Sequence, residues 1–143
     1  MKNRMFILLC TVALSLFASC REQAQERISE DLPWSERMAL SEMRRNPDPC
    51  KLDFVETKKW NYTNGLVVEC IMKLYGETGD QHYLDYARIY ADSMIDARGK
   101  IYGYQLDKYN IDHGNPGKYL FRLYDVTAEP RLKTAIDTLW SQL

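Results

Sequence analysis

Two stretches of this chain repeat one another at a spacing of 49 residues, and that spacing limits the fold more than any other feature. Leu74-Tyr75 followed by Thr78 returns as Leu123-Tyr124 followed by Thr127, and the acid at Asp80 returns at Glu129. Tyr83, Tyr86 and Ala87 map onto Leu132, Ala135 and Ile136. The openings Asn64-Gly65 and Asn115-Pro116-Gly117 correspond more loosely. Each unit reads as a helix, a short polar turn, a second helix and a long loop. The period is long for tetratricopeptide or ankyrin units and slightly long for two-helix HEAT-type units. It suits an all-α toroid of helical hairpins in which inner and outer helices alternate.

Stop signals and apolar periodicity set the expected boundaries. Residues 33–45 (PWSERMALSEMRR) predict a first helix, which NPDP at 46–49 ends. A second runs from near Asn64 to about Tyr75, with GETGD as the turn. A third covers roughly Gln81 to Ala97, with Tyr83, Tyr86, Ala87, Tyr90, Ala91, Met94 and Ile95 on one stripe. IYGY at 101–104 predicts a short extended piece. A fourth helix opens at Asn115 or Pro116: asparagine suits the N-cap, and proline lacks only an N–H that the first turn leaves unused. The fifth runs from about Pro130 onward and should bury Leu132, Ala135, Ile136, Leu139, Trp140 and Leu143.

The first nineteen residues stand apart from this pattern. Lys2 and Arg4 precede an apolar run from Phe6 to Phe17, and Ala18-Ser19 lead directly into Cys20. The run is too short and wrongly flanked for a stable membrane span and predicts an export signal. A cysteine directly after the small pair resembles the lipobox of bacterial lipoproteins, with Cys20 as the lipidated residue. A plain signal peptide cut nearby is the alternative. Export to the periplasm or outer membrane follows, with residues 20–32 as a polar tether to a domain at 33–143. Cys50 and Cys70 remain in a disulfide-permissive compartment. Cys70 falls on an apolar stripe and predicts a buried thiol; a Cys50–Cys70 bridge is the less favoured reading. No ligand spacing for a metal or motif for a cofactor occurs. A net charge of −1 gives no electrostatic argument for nucleic acid.

Helices two and four hold equivalent places in successive hairpins, so they should run parallel with their N-termini at one end. The preceding loops then place Trp60, Asn61 and Tyr62 beside Asn110, Asp112, His113 and Asn115 on a shared rim. With Asn115 as the cap, Asp112 is not needed for capping. It is either an ordinary loop acid or a group aimed at a ligand. Lys118 in the first turn opposes the helix dipole, which makes sense against an anionic ligand; a solvated lysine is the alternative.

WNYTNGLVVECIMKLYGETGD, YADSMIDARGKI and YNIDHGNPGKYLFRLY, in that order, resemble the N-terminal part of glycoside hydrolase families 88 and 105, nearer the second, the unsaturated rhamnogalacturonyl hydrolases. The resemblance implies an (α/α)6 toroid. It implies substrates that are pectin-derived oligosaccharides ending in an uronic acid with a C4=C5 double bond. An aspartic acid protonates C4, water adds at C5, and the resulting hemiketal opens. On this resemblance Asp112 is the assisting aspartate of the pair and Tyr62 a substrate contact, with Asn61, His113 and Lys118 as further rim candidates. The partners implied are an unsaturated uronide and, through the N-terminal lipid, a membrane.

The family's principal acid/base aspartate lies in a later hairpin than any read here. The (α/α)6 toroid that the resemblance implies has six hairpins, and at this period two and a half are present. The chain is therefore expected to be an incomplete part of the toroid and inactive alone. The alternatives are a non-catalytic, anchored helical-repeat module that binds glycan or protein, or a sugar epimerase resting on His82 and His113.

Overall fold

The structure is a computed structural model and describes residues 27–142 with the exception of Val55. The expected export signal, Cys20, most of the expected tether and Leu143 lie outside the described residues.

Six α-helical segments are found among the described residues. They are α1 (Trp34–Arg45), α2 (Tyr62–Thr78), α3 (Gln81–Met94), the single turn α4 (Ile111–Gly114), α5 (Lys118–Thr127) and α6 (Pro130–Trp140). Short 3-10 turns cover Pro49–Phe54, Leu106–Lys108 and Asn115–Gly117. Among the described residues there is no strand, only an isolated antiparallel bridge between Ile95 and Ile101.

The repeat is physical as well as textual. Thr78 and Thr127 each donate their hydroxyl to the carbonyl four residues back, Leu74 and Leu123, at 2.8 Å. Gly79 and Ala128 each end their helix in the left-handed conformation, with N–H bonds to Tyr75 and Tyr124 at 2.8 and 2.7 Å. The second helix of each pair then begins, capped by Asp80 through the His82 amide in the first unit. Glu129 makes no such cap; its carboxylate pairs with Arg88 and Arg131 instead.

The hairpins stack in parallel. Gly65 abuts Pro116, and further along the same helix Glu69 pairs with Arg122 at 3.1 Å, so contact partners advance in the same direction on α2 and on α4–α5. The outer helices do likewise. Arg88 meets Glu129, Arg131 reaches both Asp92 and the Ile95 carbonyl, and Gly99 abuts Thr134. A core of Val68, Met72, Leu84, Ala87, Tyr90, Leu120, Leu123 and Leu132 fills the space between the pairs. A second cluster of Met43, Ile71, Leu74, Tyr83 and Tyr86 seats α1 on the first hairpin.

Four expectations need correction. The fourth helix does not open at Asn115. Asn110 is the cap, accepting from the Asp112 amide at 3.0 Å, and Asn115 itself has helical angles. The turn at 111–114 therefore runs through the 3-10 step at Asn115–Gly117 into α5. The third helix stops at Met94, three residues early, because Ile95 turns extended to pair with Ile101. Asp96 then holds the turn by accepting the amides of Arg98 and Lys100. Cys70 is exposed and Cys50 buried, and both thiols are free. Trp140 stands 67% exposed rather than in the core. Lys118 does open α5, as expected, although helical turns precede it from Ile111.

Candidate functional site

The rim forms where the loops before α2 and α4 meet. Trp60 builds it. Its ring is buried, stacks parallel on Tyr90 with centroids 5.8 Å apart, and lies tilted against Tyr119 at 6.4 Å. Its indole N–H donates to the backbone carbonyl of His113 at 2.7 Å. One side chain thus ties the loop that carries Tyr62 to the turn that carries Asp112. Tyr90 completes the tie by donating its hydroxyl to the Lys59 carbonyl at 2.8 Å. Burial pushes the Tyr90 and Tyr119 phenols above their ordinary range, and the buried Tyr119 hydroxyl has no hydrogen-bond partner among the described residues.

Caps orient the two segments. The Asn61 side-chain oxygen accepts the Asn64 amide at 3.0 Å and so starts α2 at Tyr62. Asn64 is itself fully buried, and its side-chain amide donates to the Pro49 carbonyl at 2.8 Å. On the other loop, Asn110 does for α4 what Asn61 does for α2. These two asparagines are the same device at an offset of 49.

The sequence-predicted residues fall as follows. Tyr62 is half exposed at the first position of α2. Asn61 is partly buried, with its oxygen committed to the cap and its NH2 available. Asp112 is exposed in the turn that follows Asn110, and no side chain is hydrogen-bonded to its carboxylate among the described residues. His113 is partly buried, with its carbonyl held by Trp60. Lys118 is exposed but sits seven residues beyond the start of α4, about 10 Å along the helix. The structure therefore brings the Asn61–Tyr62 and Asp112–His113 segments to one end and leaves Lys118 exposed further along the chain at the start of α5.

Two rim groups escaped the sequence reading. Tyr109 is 71% exposed and in a left-handed conformation, and Ile111 is 79% exposed. Nothing in composition or periodicity marks either, since both lie in a loop whose path depends on the Trp60 tie. Trp60, in contrast, belongs to the scaffold under the rim rather than to its surface. Chemically, the rim offers one free carboxylate, one imidazole, an amide donor and two tyrosine faces. That inventory suits a polyhydroxylated ligand, which needs apolar faces flanked by donors and acceptors. No group of three or more metal-ligating side chains occurs among the described residues.

Comparison with known proteins yields two findings. The profile of Glycosyl Hydrolase Family 88 matches residues 34–143. A solved structure described as a family 105 glycoside hydrolase from C. acetobutylicum ATCC 824 superposes with a TM-score of 0.69 at 34% identity. The alignment covers 78% of this chain and 29% of that one, so this chain spans under a third of the neighbour's length. The stacked hairpins described above are thus a sector of an α/α toroid.

Proposed function

The chain belongs to Glycosyl Hydrolase Family 88, and from that premise we propose that it serves hydrolysis of oligosaccharides ending in an unsaturated uronic acid. The substrate class is that released from rhamnogalacturonan and related pectins by lyases. Its terminal sugar is an enol ether, with the ring oxygen on the C4=C5 bond. A carboxylic acid delivers a proton to C4, and the oxocarbenium character at C5 draws in water. Loss of the water's second proton leaves a hemiketal, which opens and releases the neighbouring sugar. The acid thus acts on carbon rather than on the glycosidic oxygen, unlike ordinary glycoside hydrolysis.

In this reading Asp112 is the assisting carboxylate, which takes or holds a proton at the attacking water. Tyr62 presents its face to the uronide ring. The Asn61 NH2 and the His113 imidazole bind hydroxyl or carboxylate groups, and Lys118 faces an anionic group deeper in. The principal acid comes from another sector of the ring, so turnover requires the assembled toroid. The observation that carries the proposal is the 2.7 Å bond from Trp60 to the His113 carbonyl, which holds the Tyr62 and Asp112 segments together. The test is loss of enol-ether absorbance from an unsaturated rhamnogalacturonan disaccharide, measured in a completed ring. Asp112→Asn should lower turnover by roughly a hundredfold or more, the scale of a general acid/base group. Unchanged turnover would remove Asp112 from the mechanism.

A second reading, an anchored module that holds glycan without turnover, draws on the exposure of Tyr62 and Tyr109 at the rim. Saturable uronide binding with no absorbance loss in the completed ring would favour it. We further propose that Cys20 is lipidated and holds the domain at the periplasmic or outer membrane. Cys20→Ser should then release the protein into the soluble exported fraction.

A further inference from the structure

A cavity of 660 Å³ opens at the C-terminal end of α3, framed by Lys58, by Asp92 in the last turn of the helix, and by Asp96, Lys100, Tyr102 and Gln105 in the loop that follows. That volume falls within the range of small-ligand sites. Bonds already made within the loop fix its walls. The Tyr102 amide donates to the Met94 carbonyl at 2.8 Å, and the Asp96 amide donates to the Lys100 carbonyl at 3.1 Å.

The carboxylates of this cavity are engaged, while its ammonium groups keep free donors. Asp92 pairs with Arg131, and Asp96 accepts the amides of Arg98 and Lys100 at 2.9 Å each. Lys58 donates to the Ser93 carbonyl at 3.0 Å, where a cation suits the C-terminal end of α3. Two of its three donors remain. The Lys100 side chain makes no hydrogen bond or ion pair among the described residues. With Arg131 set against Asp92, the two lysines outweigh Asp96 by one charge. Lys58 Nζ also lies over the Tyr102 ring, 4.4 Å from its centroid, and the ring remains 50% exposed. Helix capping accounts for Lys58 but leaves Lys100 and the bare tyrosine without a structural use.

The cavity lies at the same end of the molecule as the rim. Lys58 stands two residues before Trp60, whose indole N–H holds the His113 carbonyl, and α3 delivers Tyr90 to the same stack. Four residues separate Lys58 from Tyr62, so their Cα atoms are at most about 14 Å apart, a gap that a short oligosaccharide can bridge.

We infer that this cavity is a second saccharide site, outside the rim, for a saturated uronate unit of an acidic oligosaccharide. Lys58 and Lys100 receive the carboxylate, Tyr102 offers its ring to the sugar face, and Gln105 meets the hydroxyls. The saccharide class follows from family membership, and the acidic unit follows from the charge of the cavity itself. A saturated uronate carries no enol ether, so binding here is separable from the reaction proposed above.

Titration of trigalacturonate into the isotope-labelled chain, followed by amide NMR shifts, tests the site. Shifts should appear at residues 100–105, and binding should weaken as salt is raised. Lys100→Gln and Tyr102→Ala should each lower the affinity about three- to tenfold, whereas Tyr102→Phe, which keeps the ring, should not. Lys100→Gln is the deciding variant, because its side chain holds nothing in the fold and the melting temperature should stay unchanged. The uncharged methyl ester of the trisaccharide should bind at least about threefold more weakly; equal binding would overturn the acidic assignment. Inorganic phosphate that displaces the trisaccharide at equal concentration would make this a plain anion site and overturn the saccharide assignment. Shifts confined to residues 61–62 and 110–113, or no shift at 100–105, would overturn the site itself. Trigalacturonate is not consumed by hydration of an enol ether, so an inactive completed ring would leave each of these outcomes as it stands.

Discussion

Gly65 and Pro116 approach so closely that a β-carbon on the glycine would lie 2.2 Å from the proline Cα. The atom it would strike is backbone, on a ring with fixed φ, so neither side can yield by a rotamer change. Gly65→Ala should therefore separate α2 from the turn at Asn115–Gly117 and cost about 3 kcal/mol or more, the upper part of the overpacking range. Urea denaturation checks this. Gly76→Ala in the same helix is the control, since nothing lies within 4 Å of its added carbon. There the helix propensity of alanine should stabilise the domain by up to about 1 kcal/mol.

Trp60→Phe keeps a ring against Tyr90 and Tyr119 but removes the donor to the His113 carbonyl. A carbonyl left without its partner, together with the smaller ring, should cost about 2–3 kcal/mol. The loss should be local as well as global. Amide exchange should quicken most at residues 110–115, where the turn loses its tie, and less within α3. Equal acceleration everywhere would mean that the bond contributes to the core without positioning the rim.

Ala128 holds the left-handed conformation at φ 52° where the first unit uses Gly79 at φ 71°. A β-carbon in that region costs roughly 1–2 kcal/mol, partly offset by the greater unfolded-state freedom of glycine. Ala128→Gly should thus stabilise the domain by about 0.5–1 kcal/mol. Gly79→Ala should do the reverse. Thermal melts of the two variants test whether the repeat's turn is one device used twice.

The hairpins were legible because their signals are local and occur twice. Thr78 and Thr127 close their helices by the same bond, and the apolar stripe of α3 lies buried as its spacing required. Errors arose where a tertiary partner competes with a local preference. Asn115 has good capping chemistry, yet Asn110 wins the cap, since the Trp60 bond fixes the turn at His113 ahead of it. Ile95 sits on the helical stripe but leaves the helix for Ile101. Cys70 shares a stripe with Leu66, and that stripe faces an open groove beside α1 rather than the core. Periodicity identifies an apolar face but not whether a neighbour covers it. The corrected cap also bears on Asp112. An acid in a first helical turn has a structural use through the dipole, so a loss of turnover in Asp112→Asn counts for chemistry only if the melt is unchanged.

Five tyrosines carry phenols raised by burial: Tyr83 to about 12, with Tyr86, Tyr90, Tyr104 and Tyr119 also above their ordinary value of 10. In each case desolvation of the phenolate is the leading cause, and for Tyr83 the nearby Glu36 carboxylate adds to it. The unfolded chain ionises these phenols near pH 10. The folded chain holds them neutral, so it binds more protons above that pH, and stability must fall as pH rises. Full stability should persist up to about pH 10 and be lost progressively beyond it, through about pH 12 for Tyr83. Tyr83→Phe removes one such group and should flatten the alkaline decline while costing the bond to Glu36 at lower pH. Urea midpoints between about pH 8 and 12, read beside phenolate absorbance, check both. Phenols that titrate near pH 10 in the folded protein would show that water reaches them, and the alkaline decline would then need another cause.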